Sequence, residues 1–394
     1  GNFADDVRFS FRMLPSEVVL QDLSAFVPAF KPFKEKLRLE TEADGTVNQL
    51  NCPKLLISAD NHFLLKGDVS LQDLSHPQDA YIFGNLSNLY ADPDGIAFFV
   101  RNLSKDYKGV PPALQHLGTI SFRGEISGYF TDLVTYGEVR TDIGTVKTDV
   151  KFSSDKEKGY FSYSGAVKTA EFELGKLLAN DKFGKVTFNM DVKGSHYAKR
   201  YPSVTMKGLV ASIDYSDYTY ENITLDGEYK QGGFNGNVSF DDENGAIQLN
   251  GSINTAGKIP TFNFRADVDH FRPNTLHLTP KYKDTEISVK IKADFTGSSI
   301  NDMNGEINID SLQYTAPDQS FFMDNLRIAA TQNDERQKRL TINSNFLRGT
   351  IEGDYSYQTL PTSVLNIMRR YIPALILPDK KPRETENNFY FDLH

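Results

Sequence analysis

Apolar and polar residues alternate with a period of two through most of this chain, which restricts it to β-structure. In residues 144–152, Val146, Thr148, Val150 and Phe152 share one parity, and Lys147, Asp149 and Lys151 share the other. Val186, Phe188, Met190 and Val192 repeat the pattern, as do Ile247, Leu249, Gly251 and Ile253. So do Phe262, Phe264, Ala266 and Val268, and then Ile287, Val289, Ile291, Ala293 and Phe295. Ile120, Phe122, Gly124 and Ile126 form an earlier tract, and Ile351, Gly353, Tyr355 and Tyr357 a late one. Successive strand side chains point to opposite faces, so each tract makes one oily surface and one wet surface. That is antiparallel sheet wetted on one side. A doubly wound parallel sheet would need continuous apolar runs between long helices, and these are missing.

Turn chemistry joins the tracts. Asp241-Asp242-Glu243-Asn244-Gly245 predicts a hairpin centred on Asn-Gly, and Lys230-Gln231-Gly232-Gly233 and residues 155–159 predict two more. Short amphipathic helices interrupt the strands. Asp92-Pro93 predicts an N-cap followed by proline at the first helical position, with Ile96, Phe99, Val100 and Leu103 on one face. Thr362 or Ser363 is the expected cap of a second, striped by Val364, Ile367, Met368 and Tyr371. Leu23, Phe26, Val27 and Phe30 suggest a third, and Leu174, Leu177 and Leu178 one more turn. The chain divides into a strand and short-helix segment at 1–110, a long antiparallel meander at 111–377, and a loop with the start of a further strand at 378–394.

Composition removes several functions. The formal net charge is −9 over 394 residues, with Lys and Arg scattered. Nucleic acid binding requires clustered positive charge, so it is not expected. Cys52 is the one cysteine, which rules out an intramolecular disulfide and a cysteine-based metal cluster. No apolar run approaches the ~20 residues that span a bilayer. The opening tract Val7–Arg12 and the closing tract Asn388–Leu393 read as strands cut from a longer chain.

A search for chemistry finds none. The seven histidines include no His-Glu-x-x-His pair, and there is no nucleophile elbow or phosphate loop. Asp92 to Gly95 and Asp241 to Gly245 lack the full spacing of a calcium loop and read as cap and turn. The chain is therefore not expected to be an enzyme, and no cofactor or metal is called for. What remains is the apolar face, either as an ordinary core or as a groove. A lipid tail in such a groove would gain ~0.8 kcal/mol per buried methylene. The lining residues expected from parity are Val146, Val150, Phe152, Val186, Phe188, Val192, Phe262, Phe264, Ile287, Val289 and Ile291.

Several phrases carry a family resemblance. They include Ala170-Glu-Phe172-Glu-Leu174-Gly175-Lys-Leu177-Leu178, Leu117-Gly118-Thr-Ile120-Ser-Phe122-Arg-Gly124, and Gly233-Phe234-Asn-Gly236-Asn-Val238-Ser-Phe240. Tyr220-Glu-Asn222-Ile223-Thr-Leu225-Asp-Gly227 and Gly297-Ser-Ser-Ile300-Asn-Asp-Met303-Asn-Gly305 belong with them. Together these strand and turn phrases resemble the TamB branch of the AsmA-like proteins. The resemblance implies an elongated, U-shaped β-sheet with an apolar interior. It also implies a periplasmic location in a Gram-negative envelope, with an inner-membrane anchor outside this chain. The implied cargo is phospholipid acyl chains, and the implied partner an Omp85-type outer-membrane protein. The alternative is a structural β-module for outer-membrane protein assembly that carries no lipid. A carbohydrate-active β-enzyme is a third reading.

Overall fold

The computed structural model describes residues 3–25, 31, 33–76, 79–103, 109–110, 112–155, 159–197, 203–332, 337–345, 347–371 and 386–394. The chain is almost entirely antiparallel β-structure, in two compact units, Gly1–Ile223 and Thr224–His394.

The first unit holds β1 (Phe9–Val19), β2 (Lys36–Thr46), β3 (Gln49–Ala59), β4 (Phe63–Gln72), β5 (Tyr81–Ala91) and β6 (Ile120–Tyr129). It continues with β7 (Asp132–Thr141), β8 (Gly144–Asp155), β9 (Tyr160–Glu173), β10 (Phe183–Tyr197) and β11 (Ser203–Tyr215). Each of these strands pairs antiparallel with the next. β12 (Tyr218–Lys230) contains the boundary between the units. The second unit holds β13 (Gly233–Asp242), β14 (Gly245–Asn254), β15 (Thr261–Phe271), β16 (Glu286–Thr296) and β17 (Asn304–Ala316). β18 (Gln319–Gln332), β19 (Lys338–Asn343), β20 (Arg348–Asp354) and β21 (Asn388–Leu393) complete it, again paired in sequence. Each meander is open. Among the described pairings β1 meets β2 alone, and β21 meets β20 alone.

The tight turns explain the meander. Gln231 (φ 53°) and Gly232 (φ 73°) join β12 to β13, and Ser216 (φ 51°) and Asp217 (φ 65°) join β11 to β12. Positive φ at both turn residues matches the right-handed twist of the flanking strands. The hairpin at 241–245 differs from expectation in one respect. Asp242 pairs with Gly245, so the loop is Glu243-Asn244 and Gly245 already belongs to β14. The Asp242 carboxylate accepts the Asn244 N–H at 2.9 Å, an Asx turn that closes the loop.

The helices are short: α1 (Phe3–Asp6), α2 (Pro93–Leu103), α3 (Pro112–His116), α4 (Leu174–Leu178) and α5 (Leu360–Tyr371). Asp92 caps α2 as expected, its Oδ1 accepting the Gly95 N–H at 2.9 Å. Thr362 and Ser363 do not cap α5. The helix starts at Leu360, whose N–H reaches the Ser356 carbonyl at 2.8 Å, and Ser363 is buried inside the first turn. Pro361 favours this earlier start, because its fixed φ suits the first turn of a helix. The stretch at Leu23 forms a 3-10 turn, Leu20–Ala25, while Phe26, Val27 and Phe30 lie outside the described residues, as do 378–385. The side chains of Phe99, Val100, Leu103, Met368 and Tyr371 also lie outside them.

One local polar cluster in the second unit carries a testable stability effect. Ser299 and Asp302 form a capping box on the turn Ile300–Asp302. The Asp302 carboxylate accepts the Ser298 hydroxyl at 2.5 Å and N–H at 2.9 Å, and the Ser299 N–H at 2.6 Å and hydroxyl at 2.8 Å. These bonds, led by the Ser298 hydroxyl, hold its pKa well below the usual carboxylate range. A depressed pKa contributes stability above the unfolded-state value, lost as pH falls through the folded one. Asp302→Asn is therefore expected to cost about 1 kcal/mol at neutral pH. In urea titrations of both proteins, the gap should narrow as pH drops below about 4. A gap that is constant with pH would contradict this account.

Candidate functional site

The register shows which face each residue serves, since cross-strand partners share a face. Val150 stands opposite Thr135 on β7 and Gly165 on β9, and Gly165 in turn stands opposite Val192 on β10. Val146 faces Val139 and Thr169, and Thr169 faces Phe188. Phe152 faces Leu133 and Tyr163, and Val186 faces Phe172 and Ile213. All six residues expected in this unit therefore lie on one face. In the second unit, Phe262 stands opposite Phe295, Phe264 opposite Ala293, Ile291 opposite Ala266, Val289 opposite Val268 and Ile287 opposite Phe271. These five also share a single face.

Burial separates this face from an ordinary core. Val150 is 5% exposed and Val186 4%, while the other nine expected residues are half-buried. A core needs a second layer against its apolar face. Among the described residues only short helices and short loop segments carrying Phe33 and Leu276 pack on it, near its ends. In the first unit α4 sets Leu174 and Leu177 on the cluster of Ile143, Phe172 and Val186, and Phe98 of α2 packs on Leu20, Phe33 and Leu37. In the second, Leu360 and Val364 of α5 pack with Leu340, Ile351 and Tyr355. Polar groups on the first unit's apolar face are satisfied locally. The Thr169 hydroxyl donates to the Thr145 carbonyl at 2.6 Å, and that of Thr135 to the Val150 carbonyl at 3.2 Å.

The face is wider than parity alone predicts. Leu39, Ile57, Leu65 and Leu89 continue it across β2 to β5, and Val69, Leu86 and Phe122 form its buried centre there, with the partly buried Leu55 packed against them. Register shifts between Cys52 and Leu55, and between Leu86 and Leu89, hide this from a period-two reading. Each shift inserts extra residues on one strand, so the apolar parity changes phase part-way along it.

The opposite face is a solvated charge lattice. Lys151 meets Asp132 at 2.9 Å, Lys290 meets Asp267 at 3.3 Å, and Arg140 meets Glu138 at 2.6 Å. Such exposed pairs contribute roughly 0–1 kcal/mol each. A concavity of about 660 Å³ on this face is lined by Arg123, Glu138, Lys147, Asp149 and Lys168, among others. Glu138 stands opposite Arg123 on one side and Lys147 on the other, so its charge is matched across the strands.

One group among the described residues brings metal-ligating types together: His62, Asp92 and Asp94. Its local role is evident. His62 Nδ1 lies 2.7 Å from Asp92 Oδ2 while Oδ1 of the same carboxylate caps α2. The hydrogen bond to Asp92 raises the His62 pKa. Partial burial pushes Asp92 up, but the Gly95 N–H and His62 outweigh it and hold it low. No helix among the described residues is long and apolar enough to cross a membrane. No family model, curated protein or solved structure matches this chain.

Proposed function

We propose that the two apolar faces shelter phospholipid acyl chains, each within its own unit, in a non-catalytic segment of a TamB/AsmA-like envelope protein that serves lipid transfer through the periplasm. The observation that carries this reading is the partial exposure of nine of the eleven expected lining residues, on faces over which the described residues form no second layer. Apolar side chains left partly exposed gain from any hydrocarbon laid on them, at ~0.8 kcal/mol per methylene buried. A chain of a dozen or so methylenes is then held without a directional contact, which suits a carrier rather than an enzyme.

The test is mass spectrometry of protein purified gently from a Gram-negative host. Co-extracted phospholipid is the expected result, and its persistent absence would sink the proposal.

Absence of lipid would favour a structural β-module, which a separate feature supports. Arg348 and His394 exchange both backbone hydrogen bonds, at 3.0 and 2.7 Å. Pairing alternates along a strand, so Leu393, Phe391 and Phe389 turn their N–H and C=O groups toward the open edge of β21. That edge can accept a strand from a partner such as an Omp85-type protein.

A further inference from the structure

Along β7–β10 the apolar face of the first unit is covered by a helix at one end of its strands and left uncovered by helices at the other. At the closed end, α4 folds over the sheet between β9 and β10. Leu174 and Leu177 pack there with Val146, Phe188, Val210 and Ile213 around the buried Ile143, Phe172 and Val186. His116 Nδ1 lies 2.8 Å from the Leu177 carbonyl, tying α3 to this plug. At the opposite end no helix among the described residues packs on β7–β10, whereas at that end of β2 the Ala4 carbonyl of α1 accepts the Asn48 N–H at 3.2 Å and Leu74 is buried nearby. At the uncovered end of β7–β10, Phe130 and Phe161 are each 42% exposed, and Phe161 sits between Phe152 and Tyr163 with ring centroids 6.3 Å from each.

Between the two ends runs a mainly apolar strip. Along β8 it extends from Val146 at the plug, through Val150, to Phe152 at the open end. Six residue steps at about 3.3 Å make roughly 20 Å. One leaflet of a bilayer's ~30 Å hydrocarbon core is about 15 Å deep. The strip therefore matches one acyl chain laid along the strands, with no room for a headgroup at the plug. The hydroxyls of Thr135 and Thr169 already donate to backbone carbonyls, and what remains in the strip on β8 and β9 is the neutral hydroxyls of Thr148 and Tyr163, with no cation to pair a phosphate. Placing a charged headgroup beneath α4, among Leu174, Leu177, Val146 and Phe188, would leave it desolvated and unpaired, at a cost of several kcal/mol or more.

Resting on the lipid-sheltering reading above, we infer that a phospholipid enters this strip methyl end first, beside Phe152 and Phe161, and stops with that end against α4. The headgroup then stays in water at the open rim. Loading and release both occur at that rim.

The chain contains no tryptophan, so single introduced tryptophans report without background. Phe161→Trp reads the open rim and Phe188→Trp reads the plug. Leu177→Trp replaces the latter if Phe188→Trp misfolds by circular dichroism. Each variant is loaded with phosphatidylethanolamine brominated either near the acyl carboxyl end or near the terminal methyl. The inference requires Phe161→Trp to be quenched more by the carboxyl-end bromines and the plug reporter more by the methyl-end bromines. The same preference at both positions, or the reversed order, overturns the polarity while leaving lipid binding intact. No quenching by either lipid at either position overturns the lipid-sheltering reading itself.

Discussion

Gly165→Val is expected to destabilise the first unit by about 3–5 kcal/mol, enough to unfold much of it at room temperature. Gly165 has φ +152°, a backbone that L side chains rarely adopt, and a Cβ built on it would lie 2.0 Å from the Asp149 carbonyl oxygen and 2.7 Å from Val150 Cα. The strain alone costs about 1–3 kcal/mol. Relieving the contact must part β8 from β9 beside Val150, losing ladder hydrogen bonds at about 1 kcal/mol each. Gly84 is the matched control on the same face. A Cβ there would make ordinary contacts, 3.6 Å from Val69 Cγ2 and from Leu86 Cδ2. Gly84→Ala should be neutral or stabilise by up to about 1 kcal/mol, chiefly by restricting the unfolded chain. Urea denaturation followed by circular dichroism measures both. Equal stability of Gly165→Val and the parent would refute the crowding at this position.

Phe264→Asp should lower co-purified phospholipid more than tenfold while leaving the β-sheet signal unchanged. The ring is half-buried, and its cross-strand neighbours are the small Gly251 and Ala293, so it supplies most of the apolar bulk at that level. Losing its contact with a hydrocarbon chain forfeits about 2 kcal/mol. A carboxylate in its place must also be desolvated when hydrocarbon covers it. Together these exceed the ~1.4 kcal/mol that corresponds to a factor of ten. In the lipid-free protein the new carboxylate still reaches water, which preserves the fold. Asn263→Asp adds the same charge one residue earlier, on the opposite face, and should leave lipid content unchanged. Normal lipid content in Phe264→Asp, and likewise in Val289→Lys, would remove this face as the carrying surface.

These paired substitutions rest on features of different legibility. The parity that separates Phe264 from Asn263 is readable directly, because β15 and β16 keep an unbroken alternation from Thr261 to Val268 and from Val289 to Thr296. The crowding at Gly165 is not. A glycine in an alternating tract reads as a weak strand residue until the neighbouring carbonyl is placed beside it. The cap at Asp92 was legible because an Asp-Pro step supplies both the acceptor and the helical φ of the next residue. The start of α5 was not, since several hydroxyl and amide residues compete for the cap, and Ser363 is drawn inward with its Oγ 2.6 Å from Asn387 Nδ2.

By itself the sequence determined that the chain is antiparallel β-structure with one oily and one wet face, and it placed all eleven expected lining residues on the oily side of their units. Alternation is a local property, and side-chain direction in a strand follows from it without knowledge of distant residues. Only the tertiary structure decided where the bulges shift that parity in β3 and β5, and which residues stay partly exposed. The covering of one end of β9 and β10 by α4, with no described helix at their other end, was decided there too. Those outcomes depend on which strand lies beside which and on what packs over their ends, and no window of a single strand contains that information.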